Sequence, residues 1–150
     1  MKNIENNGKF TLDLTLESEE ETGALGERIG DKLNPGFFVT LYGELGAGKS
    51  TLARGIFTSF GLTGPFPSPT YLYAVEYPEN LVHIDLYMLD DEGFYRLGLD
   101  DYFGEPYIAV VEWADKLPDS FKPPGPVVNV TMEIVDVQKR RATIDSSVGI

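Results

Sequence analysis

The sequence predicts an α/β fold, and three observations predict it. An apolar run over residues 37–42 leads without a break into a glycine-rich loop at 43–50. A segment with helical spacing follows that loop directly. Short apolar or alternating segments and helix-compatible segments then follow one another along the chain, as expected when helices cover the faces of a mostly parallel sheet.

Each element has its own signal. Phe10, Leu12, Leu14 and Leu16 alternate with polar residues, the period of a half-buried strand over 10–16. Ser18 followed by Glu21 is a capping-box signature and opens a helix over 19–33. Asn34-Pro35-Gly36 ends it. The run 37–42 suits a parallel strand buried on both faces. A helix is expected over 49–60, stopped by Gly61. Gly64, Pro65, Pro67 and Pro69 make 62–70 irregular. Strands are expected at 71–77 and 81–86, joined at Pro78-Glu79-Asn80, followed by a short helix over 91–97 and a buried strand over 107–112. Four prolines mark 117–126 as a surface connection, and 127–135 with 140–144 forms a closing hairpin around 136–139. No internal repeat or low-complexity tract interrupts this order, so one domain is expected over 1–150.

Composition narrows the class. The chain is 42% apolar, enough for a core. No apolar run approaches the ~20 residues of a membrane helix, and the start MKNIENNGKF lacks the apolar stretch of a signal peptide. There is no cysteine, which excludes disulfides and thiolate metal sites and fits a cytoplasmic protein. The net charge is −12, and residues 81–119 carry ten acids against two bases, Arg96 and Lys116. Nucleic-acid grip rests on phosphate contacts by basic groups, so this surface repels RNA. It is a solvated face, or a docking surface for a basic partner protein.

Gly43-Glu44-Leu45-Gly46-Ala47-Gly48-Lys49-Ser50, with Thr51 next, matches G-x-x-x-x-G-K-[ST] without departure. Glycines let successive N–H groups turn inward as an anion nest, and the dipole of the following helix faces the same phosphates. Lys49 places a charge on the β- and γ-phosphates, and the Ser50 hydroxyl is a hard oxygen ligand suited to Mg²⁺. The loop therefore predicts a P-loop NTPase-like three-layer sandwich with a C-terminal hairpin. A guanine-reading Asn/Thr-Lys-x-Asp element is absent, the nearest string being Asp115-Lys116-Leu117-Pro118, so the expected nucleotide is ATP.

Such a site needs a carboxylate at the end of a neighbouring strand. Ile108-Ala109-Val110-Val111 leads into Glu112, and Leu81-Val82-His83-Ile84 into Asp85. Both acids are candidates, since ligands sit at the carboxyl ends of strands in open α/β sheets. His83 reads as a structural histidine, Trp113 as packing or a lid, and Arg54 as a surface residue. Thr70, in Ser68-Pro69-Thr70, suits a structural turn or a switch-loop threonine that senses the γ-phosphate.

In order along the chain stand GELGAGKST-x-x-RG, SPTY, HIDLY, LGLDDYF and VEW. Together they resemble the TsaE (YjeE) family, the bacterial ATPases of tRNA threonylcarbamoyladenosine synthesis, over roughly residues 10–145. The resemblance implies slow ATP hydrolysis alongside TsaD and TsaB, with tRNA met only through that complex. It implies that Ser50 and Glu112 hold Mg²⁺, that Thr70 is the switch threonine, that Asp85 takes part in hydrolysis with Lys49, and that Arg140 on the hairpin contacts nucleotide. Two positions depart from the pattern. Met88 stands where the family usually has arginine, with Arg96 the nearby replacement, and Ser50 replaces the commoner threonine. A small-molecule kinase would need an arginine-bearing lid, and none is visible. A nucleotide-gated interaction module without hydrolysis is the other alternative class.

Overall fold

Four parallel strands form the centre of one sheet, and antiparallel strands complete both flanks. The computed structural model describes residues 3–6 and 9–150. The strands are β1 (Asn3–Asn6), β2 (Lys9–Leu16), β3 (Phe38–Tyr42), β4 (Ala74–Tyr77), β5 (Leu81–Asp85), β6 (Ile108–Glu112), β7 (Val127–Ile134) and β8 (Arg140–Ser146). Their order is β1-β2-β8-β7-β3-β6-β5-β4. Strand β3 pairs parallel with β6 and β7, and β5 pairs parallel with β6. The pairs β1–β2, β2–β8, β7–β8 and β4–β5 are antiparallel. The mostly parallel central sheet expected from the sequence is observed, with antiparallel strands added on both flanks.

Alternation in the central strands splits the core into two layers. Val39 and Leu41 of β3, with Ile108 and Val110 of β6, face helices α1 (Glu19–Gly30) and α2 (Lys49–Ser59). Phe38, Ala109 and Val111 face the other way, toward Phe94 of α3 (Asp91–Arg96), Leu99 and Phe103. Helix α2 buries Leu52, Ile56 and Phe57 completely, each worth about 1.5–3 kcal/mol of apolar transfer. The expected three-layer arrangement is the one observed.

Helices α1 and α2 meet backbone to backbone. A Cβ at Gly26 would lie 2.2 Å from the Leu52 carbonyl oxygen, and one at Gly55 would lie 2.2 Å from that of Gly23. Neither oxygen can retreat without moving its helix. Gly55→Val should therefore force the helices apart, at a cost of roughly 1–3 kcal/mol or more. Thermal unfolding should show it as a drop of several degrees (about 2–4 °C per kcal/mol), while Gly23→Ala, where no atom lies within 4 Å, should not.

Three expected boundaries shift by more than one residue. Helix α1 stops at Gly30, before the expected end at residue 33, although Leu33 is still buried. The fourth strand starts at Ala74, because Leu72 N and Tyr73 N both donate to the Pro69 carbonyl and Tyr73 takes a φ of 64°. That turn overrides the aromatic β-propensity of Tyr71 and Tyr73. Strand β1 was not anticipated, and β8 runs on to Ser146.

Candidate functional site

Helix α2 differs from the other two α-helices at its start. Ser18 Oγ caps α1 by accepting from Glu21 N, and Asp90 Oδ1 caps α3 by accepting from Gly93 N. The N-cap of α2 is Gly48, which offers no side chain, and its first turn holds no acid. The orphan N–H groups and the positive dipole end of α2 are left for a ligand. Gly48 adopts φ 104°, in the left-handed region where glycine is favoured, and Gly43 adopts φ 147° with a Cβ position only 2.6 Å from the Met132 carbonyl.

Around this start lies a cavity of about 660 Å³, whose walls include Lys49, Ser50, Thr70, Asp85, Glu112 and Arg140. The sequence-predicted residues therefore converge. Gly46, Gly48 and Thr51 also line it, as does Leu45, 87% exposed at the rim. Ala47 is fully buried and its N–H donates to the Glu44 carbonyl at 3.0 Å, which closes the loop on itself. Gly43, Glu44 and Ala47 shape the loop without lining the cavity.

Lys49 is buried and its ammonium donates to the Gly43 carbonyl. The same Nζ lies 3.9 Å from the centre of the Trp113 ring. Burial lowers its pKa below the usual lysine value, against the opposing pull of Glu112, Asp115 and Asp85. Trp113 is half-buried at φ 57°, and Tyr87 packs on it with ring centres 4.8 Å apart.

The parallel register sets Asp85 of β5 beside Glu112 of β6, both buried at the carboxyl ends of their strands. Their neighbours divide them. Ser50 Oγ lies 3.5 Å from Glu112 Oε1, and His83 Nε2 lies 2.6 Å from Glu112 Oε2. Asp85 instead accepts from Thr70 Oγ1 at 3.0 Å and from Tyr87 N at 2.8 Å. Glu112 therefore belongs with the P-loop serine, and Asp85 with the irregular loop that carries Thr70.

Among the described residues no three His, Asp or Glu side chains gather into a metal-holding group. Ser50 Oγ and Glu112 Oε1, 3.5 Å apart, are a hydroxyl and a carboxylate oxygen, the hard donor types of an Mg²⁺ site, which takes only one or two protein ligands.

Arg140 joins the hairpin to the loop. Its guanidinium donates to the Gly46 carbonyl at 3.0 Å, to Asp136 at 2.8 Å and to Lys139 at 2.9 Å. Its Nε is buried without a partner. Two groups of lining residues were not anticipated. Ser18, Glu19, Glu20 and Thr22 reach the cavity from the start of α1, and Val137 and Gln138 from the β7–β8 turn. Nothing local in the sequence links these segments to the glycine loop. Arg54 is a surface residue, as expected, donating to Thr51 Oγ1 at 3.2 Å. No helix is long and apolar enough to cross a membrane among the described residues.

Comparison with known proteins places these features in one family. The family model for threonylcarbamoyl adenosine biosynthesis protein TsaE matches residues 16–143. A Nostoc sp. protein named tRNA threonylcarbamoyladenosine biosynthesis protein TsaE is 35% identical over 136 residues, covering 86% of this chain and 82% of its own. A Mycobacterium leprae protein of the same name is 40% identical over 110 residues, covering 65% and 68%. The crystal structure of Bacillus subtilis YdiB superposes with a TM-score of 0.72 at 27% identity, covering 92% of this chain and 86% of that one. With Ser68, Thr70, Asp85, Glu112 and Trp113 lining one cavity beside the glycine loop, and the family model matching residues 16–143, this chain belongs to the TsaE family.

Proposed function

We propose that this chain is a slow, Mg²⁺-dependent P-loop ATPase, one domain over residues 1–150. It serves threonylcarbamoylation of the adenosine beside the tRNA anticodon, in the cytoplasm, and acts with TsaB and TsaD. The observation that carries the ATPase reading is the uncapped start of α2 with a buried lysine, facing a serine and a carboxylate. The biosynthetic role rests on family membership.

The chain's residues divide the work. The N–H groups of the loop and of the first turn of α2 bind phosphate oxygens, and Lys49 Nζ moves from the Gly43 carbonyl to the β/γ-phosphates. Ser50 and Glu112 would hold Mg²⁺, which supplies neutralisation of phosphate charge when bound. Asp85 orients the attacking water, with Thr70 Oγ1 holding one of its oxygens in place. Arg140 fixes the loop backbone and the turn over the nucleotide. With ten acids against two bases over 81–119, tRNA is met only through the partner complex.

Titration calorimetry with a non-hydrolysable ATP analogue, with and without Mg²⁺, tests the assignment. Glu112→Ala should weaken Mg²⁺-dependent binding, with Mg²⁺-free binding largely kept. Equal metal dependence in the variant would transfer the role to Asp85. In competition, GTP should displace ATP poorly, since no guanine-reading element is present. Equal affinities would overturn the choice of ATP.

A further inference from the structure

His83 does not line the nucleotide cavity, yet it touches one of the side chains that does. It stands on β5, two residues before Asp85, so both side chains fall on the same face of the sheet. Register sets His83 beside Val110 and Asp85 beside Glu112, so His83 reaches Glu112 diagonally across the strand pair. The contact is short and dry: Nε2 to Oε2 is 2.6 Å, with both residues about 5% exposed. The ring is held on its other side by Phe57 of α2, with ring centres 5.0 Å apart.

The two ring nitrogens are not equivalent. Nδ1 is buried and has no partner. The tautomer with its proton on Nε2 leaves no buried N–H unsatisfied and donates to the carboxylate. A histidine kept only for filling would gain nothing from an orphaned nitrogen, and an apolar side chain would fill the same space without one. The arrangement makes sense if the Nε2 bond is what is needed. The last torsion of a glutamate is broad and poorly defined. A donor on Oε2 fixes that torsion and leaves Oε1 turned toward Ser50 Oγ, 3.5 Å away.

We propose that His83 is the positioning residue for Glu112: its Nε2–H clamps one carboxylate oxygen so that the other faces the divalent cation shared with Ser50. This inference rests on the reading that Glu112 faces that cation. His83 is not a catalytic residue here, because it stands behind Glu112 and does not line the cavity. Groups that orient metal ligands in this way are typically worth about 10–100-fold in metal affinity.

The test compares His83→Gln, His83→Asn and His83→Leu with wild type and Glu112→Ala. The affinity for ADP is measured by calorimetry across a Mg²⁺ series and in EDTA, and a melting curve is taken for each variant. Glutamine can bring an amide N–H to the place of Nε2; asparagine is too short, and leucine has no donor. The expected result is a 10–100-fold weaker Mg²⁺ dependence for His83→Leu and His83→Asn, near-wild-type dependence for His83→Gln, and unchanged affinity in EDTA for all three. Wild-type Mg²⁺ dependence in His83→Leu or His83→Asn would overturn the inference. So would equal weakening with and without Mg²⁺, since that is the signature of a packing role. If His83→Leu fails to fold, the contrast between glutamine and asparagine decides. If Glu112→Ala keeps the wild-type Mg²⁺ dependence, the reading of Glu112 fails instead.

Discussion

Replacing Lys49 by alanine should abolish measurable nucleotide binding while the fold survives. Lys49 is a buried residue, and its ammonium sits where the first turn of α2 meets the loop. Truncating one partner of a buried, hydrogen-bonded charge pair costs about 2–5 kcal/mol or more, which is roughly 30- to 5,000-fold in affinity. Alanine is a strong helix former, so α2 itself is not weakened. Lys49→Met separates charge from volume, because it keeps an unbranched apolar stem and removes only the cation. Calorimetry with an ATP analogue measures the loss, and unchanged affinity in either variant would remove the P-loop assignment. A second readout is built in. Trp113 is the chain's single tryptophan and lies 3.9 Å from Lys49 Nζ. Its fluorescence should respond to nucleotide in the wild type and not in Lys49→Met.

Phosphate release should be slow for the chain alone and rise when TsaB and TsaD are added. The physical reason is a missing charge. Arg140 is the one arginine among the described cavity-lining residues, and its guanidinium is already committed to backbone carbonyls of the loop and the turn. The Thr70–Asp85 end of the cavity therefore has no arginine to meet charge developing on the transferred phosphoryl group. An arginine supplied by a partner is worth about 10³–10⁵ in rate in P-loop systems, so even partial completion would be easy to see. Exposed Tyr71 and Leu72 stand just after Thr70, and Tyr87 and Met88 just after Asp85, so a docked protein can reach both. Thr70→Ala removes the hydroxyl that donates to Asp85 Oδ2. It should blunt the partner-induced rise and leave nucleotide affinity nearly unchanged. Steady-state phosphate release for wild type and Thr70→Ala, each with and without partners, measures this. Fast hydrolysis by the isolated chain, or no response to partners, would leave only the nucleotide-binding proposal.

What the sequence disclosed was what local rules govern. The glycine loop between an apolar run and a helix is a contiguous pattern, and so is the Ser18 cap, observed as Glu21 N donating to Ser18 Oγ at 3.2 Å. Acids after apolar runs marked Glu112 and Asp85 because a buried strand must end somewhere polar. The separate roles expected of them came only from the family resemblance, since nothing local tells which neighbours reach across β5 and β6. His83 was read as structural. It is buried, but its partner is Glu112, 29 positions away. The start of β4 was misplaced because β-propensity at Tyr71 and Tyr73 competes with a turn closed on Pro69. The walls contributed by Ser18 and Gln138 come from opposite ends of the chain, and only the assembled sheet brings them together.

The contact between Gly26 and Gly55 has a mechanical meaning. Helices that meet through side chains can slide by exchanging rotamers; helices that meet through bare backbone have no such slack. The start of α1 and the start of α2 both line the cavity, so the spacing between them is a fixed gauge. On the proposed function, a nucleotide spanning that gap would not have to draw the walls together, and its binding energy would not be spent ordering them. On the same reading, a docked partner would act on a cradle whose two helices cannot slide past one another.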